Sequence, residues 1–181
     1  MSVKNDFVKP IAVLFFICLF VSAALAVVNN VTKPVIDEGS RVRAALARKH
    51  IIPQADDFER LDINVLRSQS GFPAAVTEVF RASNGEGFII TIIVTGYGGD
   101  ISILCGVDNS GRIIRAAVLS HTETVGLGTP IFEEPHASQY WGIHIDGIEG
   151  ISAVSGATIT SNAYKNAMRY ALAAFEIARG L

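Results

Sequence analysis

The sequence FIITIIVT at residues 88–95 is followed by Tyr97-Gly98-Gly99-Asp100 and then by the apolar sequence ISILCGV at residues 101–107. Short runs rich in β-branched residues, bounded by glycine and aspartate, are typical of strands joined by a tight turn. We therefore predict two antiparallel strands here. Because the first run is apolar at nearly every position, we expect it to be a central strand of the sheet.

Two further turn sequences flank this pair of strands. Ser83-Asn84-Gly85-Glu86-Gly87 separates the alternating residues 76–80 from the central run, and Asp108-Asn109-Ser110-Gly111 precedes a predicted strand at residues 112–120. Asn-Gly between apolar runs is a strong hairpin signal. Strands that follow one another through short turns predict an antiparallel meander and not a βαβ alternation.

The last segment has the pattern of an amphipathic helix over residues 162–179. Apolar side chains recur at spacings of three and four: Ala163, Tyr164, Ala167, Met168, Ala171, Leu172 and Phe175. Ser161 is the predicted N-cap and Gly180 the residue after the C-cap. Further helices are predicted at residues 34–50 and 131–140, and a loop at 53–62. The predicted fold class is α+β, an antiparallel sheet with flanking helices, preceded by one N-terminal transmembrane helix.

Half of the 181 residues are hydrophobic, which is a high fraction for a soluble domain. The hydrophobic residues are concentrated in residues 11–28, where only Ser22 interrupts the apolar run. About 20 apolar residues are enough to span a bilayer as a helix. The run is longer than the ~7–15 residues of a typical signal-peptide core, which favours an uncleaved anchor. Cleavage after Ala24-Leu25-Ala26 remains the alternative.

Lys4 and Lys9 precede the apolar run, and basic residues stay on the cytoplasmic side of a membrane. We therefore expect residues 1–9 to form a cytoplasmic N-terminus, residues 10–32 a transmembrane helix, and residues 33–181 an extracytoplasmic domain. After residue 28 the chain carries 13 Lys and Arg against 16 Asp and Glu. This balance argues against nucleic acid as a partner.

The cysteines and histidines indicate neither a disulfide nor a metal site. Cys18 lies in the apolar run and Cys105 in a predicted strand, so they cannot pair, and Cys105 is expected to be a small core residue. The sequence has no CxxC, and its four histidines lack metal-ligand spacing: His50, His121, His136 and His144.

The segment Ser155-Gly156-Ala157-Thr158-Ile159-Thr160-Ser161 precedes the C-terminal helix and is rich in hydroxyl and small residues. It fits neither the Walker A loop nor the nucleophile elbow G-x-S-x-G. Small residues let backbone N–H groups approach a ligand, and a helix start attracts anions, so a phosphate could bind near Thr158. A turn that only caps the helix is the alternative that these residues leave open.

This segment resembles the S-G-A-T-x-T-S motif of the FMN-binding subunits RnfG and NqrC. Leu119–Gly128, with the sequence LSHTETVGLG, is similar to the S-H-x-E-T-P-G-L-G stretch of the same family. Tyr97-Gly98-Gly99-Asp100-Ile101 and Gly106-Val107-Asp108 also resemble the RnfG pattern. NqrC proteins are longer, so the chain resembles RnfG more closely.

The resemblance implies a cofactor and the residues that hold it. In that family the threonine that closes S-G-A-T carries FMN through a phosphoester bond, which a flavin transferase makes from FAD; this implies covalent FMN on Thr158. The other implied cofactor-binding residues come from the same two motifs: Ser155, Gly156, Ala157, Thr160, Ser161, Glu123, Thr124, Gly126, Leu127 and His121. The resemblance implies an electron carrier, and no catalytic residue is indicated.

The implied function is that of a membrane-anchored electron-transfer subunit in an Rnf-type ion-translocating ferredoxin:NAD oxidoreductase complex. Its partners would be the other membrane subunits and, during maturation, the flavin transferase. The implied location is a bacterial or archaeal cytoplasmic membrane, crossed once, with the domain on the periplasmic or extracellular side. The alternatives are an NqrC-like subunit, a stand-alone flavinylated carrier, and a binding module without flavin. The last follows from Ser152, where the family usually has aspartate.

Overall fold

A computed structural model of the chain describes residues 3–180, with side chains from residue 8 onward. Met1 and Ser2, in the predicted cytoplasmic N-terminus, and Leu181 lie outside the described residues. The chain forms two compact units, one up to Val42 and the other from Arg43 onward.

The first helix, α1, spans Val3–Ile51 and contains both predicted helical segments, at residues 10–32 and 34–50. Pro10 and Pro34 lie inside it. Its large apolar side chains are exposed through the region of the predicted membrane segment, with Phe20 75% exposed. By length and composition this helix could cross a membrane, and its apolar segment is not buried in protein.

Within residues 3–180, five strands form one antiparallel sheet, with spatial order identical to sequence order. They are β1 (Phe58–Arg60), β2 (Val76–Ala82), β3 (Phe88–Thr95), β4 (Asp100–Val107) and β5 (Ile113–Ser120). The central pair is in register at Ile90 with Cys105 and Ile92 with Ile103. The predicted meander, the central position of β3 and the α+β class are thus confirmed.

The predicted loop over residues 53–62 is wrong in part, because it contains β1. Only three residues long, β1 pairs with β2 at one edge of the sheet, and Glu59 and Arg60 are exposed. The short helix α2 (Ile63–Arg67) follows, and the carboxylate of Asp62 accepts a hydrogen bond from the Asn64 N–H at 2.8 Å. An edge strand this short has no apolar alternation by which the sequence could reveal it.

The predicted helix over residues 131–140 is also wrong. Two short 3₁₀ helices occupy this region, at Thr129–Phe132 and Ala137–Tyr140, and a third follows at Ile145–Gly150. Pro135 lies between the first two. A proline in a helix interior removes a backbone donor and disfavours the helical conformation of the residue before it, which favours two short 3₁₀ helices over one continuous helix here.

The C-terminal helix, α3, spans Thr158–Ala178 and begins four residues earlier than predicted. Its N-cap is Ala157 and not Ser161. The Ser161 hydroxyl lies in the first turn and accepts a hydrogen bond from the Val154 N–H at 3.0 Å, so it stabilises the preceding loop. Gly180 follows the C-cap residue Arg179, as predicted.

Apolar clusters cover both faces of the sheet. On one face, α3 packs on β3 and β4, and Phe175 meets Phe88 edge to face at 5.4 Å between ring centroids. Cys105 is buried in this cluster, as predicted, and burial raises the pKa of its thiol to about 12. On the other face, Ile51 at the end of α1 packs with Ile89 and with further residues of the sheet.

Candidate functional site

A cavity of about 380 Å³ lies where three segments of the domain meet. Tyr97 contributes from the turn after β3, Glu123, Thr124, Leu127 and Gly128 from the loop after β5, and residues 156–160 from the start of α3. Small-molecule sites typically occupy roughly 300–1,000 Å³, so the cavity is large enough for part or all of a cofactor.

Hydrogen bonds connect the turn after β3 to the loop after β5. The Thr122 hydroxyl donates to the Gly98 carbonyl at 2.9 Å, and the Gly98 N–H donates to Oε1 of Glu123 at 3.0 Å. A Cβ atom at Gly98 would overlap the Thr122 carbonyl group. Glycine is therefore required at this position, because any larger residue would push the two segments apart.

Glu123 also connects this loop to α3. The residue is 6% exposed, and its Oε2 accepts a hydrogen bond from the Thr160 hydroxyl at 2.8 Å. A Cβ atom at Gly128 would lie 2.6 Å from the same oxygen. One carboxylate thus contacts all three segments that form the cavity, and small residues surround it.

The first turn of α3 supplies donors for an anion. The Ser161 N–H makes the first helical hydrogen bond, to the Ala157 carbonyl at 2.9 Å. The N–H groups of residues 158–160 therefore have no acceptor within the helix, and they lie at its positive end. Gly156 precedes them with φ of +81°, a conformation that glycine adopts without strain. The Thr158 side chain is exposed beside these donors and lines the cavity.

Large apolar side chains line the same cavity and remain exposed to solvent. Tyr97 is 70% exposed, Ile159 56% and Leu127 51%. Exposed apolar surface in a cavity indicates a binding site for an apolar or aromatic group. Together with the donors at the start of α3, these side chains fit a cofactor with a phosphate at one end and a planar ring system at the other.

The structure places most of the sequence-predicted site residues on this cavity. Seven of them line it: Glu123, Thr124, Leu127, Gly156, Ala157, Thr158 and Thr160. Four do not line it: His121, Gly126, Ser155 and Ser161. The His121 ring instead packs on Phe132, with 5.2 Å between the ring centroids. Gly126 shapes the loop, with φ of +79° and its N–H donating to the Thr129 hydroxyl at 3.0 Å.

Three lining residues were absent from the sequence prediction: Tyr97, Gly128 and Ile159. Gly128 and Ile159 lie within the two motifs, so the motif boundaries could have included them. Tyr97 lies in the turn after β3, and an aromatic residue beside two glycines was the available signal for it. Among the described residues, no group of three or more His, Cys, Asp or Glu side chains could hold a metal ion.

Comparison with known proteins identifies the class of this domain. Residues 96–173 match the family model of the FMN-binding domain. This range contains the turn, the loop and the helix start that form the cavity. The chain therefore contains an FMN-binding domain, in agreement with the donor set and apolar lining of the cavity.

Three relatives that are similar to this chain over most of its length are named as G subunits of ion-translocating oxidoreductase complexes. The G subunit of the Na(+)-translocating ferredoxin:NAD(+) oxidoreductase complex of Acetobacterium woodii is 29% identical, over 91% of this chain and 89% of that protein. The G subunit of the ion-translocating oxidoreductase complex of Shewanella piezotolerans is 27% identical over 93% and 89%. The protein of the same name from Methanosarcina acetivorans is 26% identical over 95% and 96%. The resemblance to RnfG that the motifs indicate is thus confirmed.

Proposed function

We propose that this chain is the FMN-carrying electron-transfer subunit of an Rnf-type ion-translocating complex. The observation that carries the proposal is the cavity at the start of α3, within the FMN-binding domain, in a chain similar to these relatives over most of its length. Bound FMN supplies electron transfer in steps of one or two electrons. The residues of the chain bind the phosphate end, orient the ring and shield part of it from water.

We further propose that FMN is attached covalently to Thr158. Of the four hydroxyl groups in the motif, those of Thr160 and Ser161 are buried and hydrogen-bonded within the protein. Ser155 is exposed but does not line the cavity. Thr158 is both exposed and on the cavity, beside the free N–H groups of α3. This combination of accessibility and position supports Thr158 as the acceptor.

The attachment is a phosphoryl transfer from FAD, catalysed by a flavin transferase. The bond from the FMN phosphorus to the Thr158 Oγ1 forms, and the bond from that phosphorus to the AMP phosphate oxygen breaks. The proton of the Thr158 hydroxyl leaves, and AMP is the leaving group. The N–H groups at the start of α3 stabilise the negative charge of the phosphodiester that results.

The intact mass of the chain extracted from membranes with detergent tests both parts of the proposal. In cells that produce the transferase, we expect the bare chain plus one FMN less one water, and co-purification of the other Rnf subunits. A bare-chain mass would contradict the covalent bond. Recovery of Nqr subunits, or of no partner, would instead favour the NqrC-like or stand-alone alternative.

We also propose that α1 anchors the chain, with residues 1–9 in the cytoplasm, 10–32 in the membrane and 33–181 outside the cytoplasm. The exposed apolar side chains of α1 and the relatives from ion-translocating complexes support a membrane anchor. Lys4 and Lys9 before the apolar run support this orientation, because basic residues remain cytoplasmic.

A Ser83→Cys variant tests this orientation. Ser83 is exposed in the turn before β3, so a membrane-impermeant maleimide should label the new cysteine in intact cells or spheroplasts. The unmodified chain is the control and should stay unlabelled. Its Cys18 lies in the apolar run, and Cys105 is buried with a thiol pKa raised to about 12. Labelling only after the membrane is permeabilised would contradict the proposed sidedness.

A further inference from the structure

We propose that the carboxylate of Glu123 lowers the reduction potential of FMN bound in the cavity. This inference rests on the proposed FMN-carrying function and assigns a role to one residue of that site. Glu123 has two separable properties: it connects three segments, and it places a negative charge on the cavity surface. The proposal concerns the second.

In the described residues, two neutral groups hold the carboxylate in place. Oε1 accepts from the Gly98 N–H at 3.0 Å and Oε2 from the Thr160 hydroxyl at 2.8 Å. Both oxygens therefore act as hydrogen-bond acceptors, which is the role of an ionised carboxylate. Both oxygens retain further lone pairs, and the residue is among those that line the cavity.

No cation among the described side chains compensates this charge at the cavity. Within the described part of the chain, none of the lining residues is Lys, Arg or His, and no ion pair to Glu123 is present. The N–H groups at the start of α3 are the positive feature of the site, and the FMN phosphate is expected to occupy them. The ring would therefore share the cavity with an uncompensated negative charge.

A nearby negative charge opposes reduction of the ring. Each electron that the ring accepts is lost by its redox partner and adds one negative charge, which a proton from solvent can afterwards neutralise. A buried carboxylate repels that added charge, and the repulsion is stronger where water is excluded. Because the cavity is small, a ring within it lies close to Glu123, so the carboxylate makes FMN a stronger reductant.

Glu123→Gln separates the charge from the hydrogen bonds. The amide oxygen can accept from the Gly98 N–H, and the amide nitrogen can donate to the Thr160 hydroxyl oxygen, in nearly the same volume. We therefore expect this variant to fold and to retain FMN. Glu133→Gln is the matched control, since Glu133 is exposed and does not line the cavity.

The experiment is a spectroelectrochemical titration of the full FMN-loaded chain in detergent. We expect Glu123→Gln to shift the first reduction in the positive direction by a tenfold or larger change in equilibrium constant, which is about 59 mV for one electron. Glu133→Gln should leave the potential unchanged, and Glu123→Asp, which keeps the charge, should stay near the unmodified chain. An unchanged or more negative potential in Glu123→Gln would overturn the proposal.

Two further measurements keep this result separate from the proposed function. FMN content is measured first; if the unmodified chain carries no FMN, even after incubation with free FMN, the proposed function fails and this inference with it. If only Glu123→Gln fails to retain FMN, Glu123→Met is titrated instead, because it also removes the charge and has a side chain of similar length. A positive shift in that variant supports the role of the Glu123 charge, and an unchanged potential contradicts it.

Discussion

Replacing Thr158 with alanine is expected to abolish covalent attachment of FMN while leaving the domain folded. The hydroxyl oxygen of Thr158 is the proposed acceptor, and no other hydroxyl of the motif is both exposed and on the cavity. The side chain is exposed on the first residue of α3, where alanine is a better helix former than threonine. Flavin fluorescence in the protein band after denaturing electrophoresis, viewed under ultraviolet light, measures the attachment.

Two variants serve as controls for this loss. Thr158→Ser retains a hydroxyl at the same position and should retain fluorescence, at least in part. Asn162→Ala changes an exposed residue one turn later on the same face of α3, and it should leave fluorescence unchanged. All variants require production of the transferase. A fluorescent band in Thr158→Ala would place the covalent bond on another residue.

Phe175→Ala is expected to lower the free energy of unfolding of the domain by about 3–5 kcal/mol. Phe175 is fully buried where α3 crosses the sheet, and its ring contacts that of Phe88. Removal of the ring loses its burial and leaves a cavity that the packed sheet fills only in part. Because small domains are stable by only about 5–15 kcal/mol, this is a large fraction of the total.

Urea unfolding of the full chain in detergent measures the effect, with Trp141, the single tryptophan, as the fluorescent probe. Tyr170→Ala is the matched control, since it removes an aromatic ring from the same helix at a position that is 38% exposed. We expect that variant to lose less than about 1 kcal/mol. Equal shifts in the unfolding midpoints of the two variants would contradict the assignment of Phe175 to the core.

The sheet could be predicted from sequence because its signals are local. Asn84-Gly85 and Ser110-Gly111 lie in turns between adjacent strands, and both glycines have positive φ in the structure. Each hairpin is therefore evident from a few consecutive residues of the chain. The buried face of α3 could also be predicted, because its apolar residues repeat at helical spacing.

The elements that were missed depend on contacts between distant residues. Phe58 in β1 pairs with Ala82, and a three-residue strand is too short to show the alternation that predicts an extended chain. The start of α3 was misplaced for a similar reason. Ser161 has the chemistry of an N-cap, yet its hydroxyl accepts from Val154 in a loop whose path the sequence does not reveal.

The candidate site also has parts that local sequence motifs predict and parts that depend on contacts between distant residues. The two motifs supplied the residues on the loop after β5 and at the start of α3, which form two sides of the cavity. Tyr97 forms the third side. The glycines beside it were a local signal, but its proximity to the other two sides follows from the meander. The bond from Thr160 to Glu123 joins residues 37 positions apart, so it could be seen only in the folded chain.

The contact between Ile51 and Gly106 bears on how a soluble fragment of this chain should be designed. The last turns of α1 belong to the unit that begins at Arg43, and a Cβ atom at Gly106 would overlap the Ile51 side chain. Cutting the chain after the whole helix would uncover Ile89 and Leu104 on one face of the sheet. Such a fragment would expose an apolar surface and aggregate, whereas one beginning just before Arg43 retains the residues that cover it.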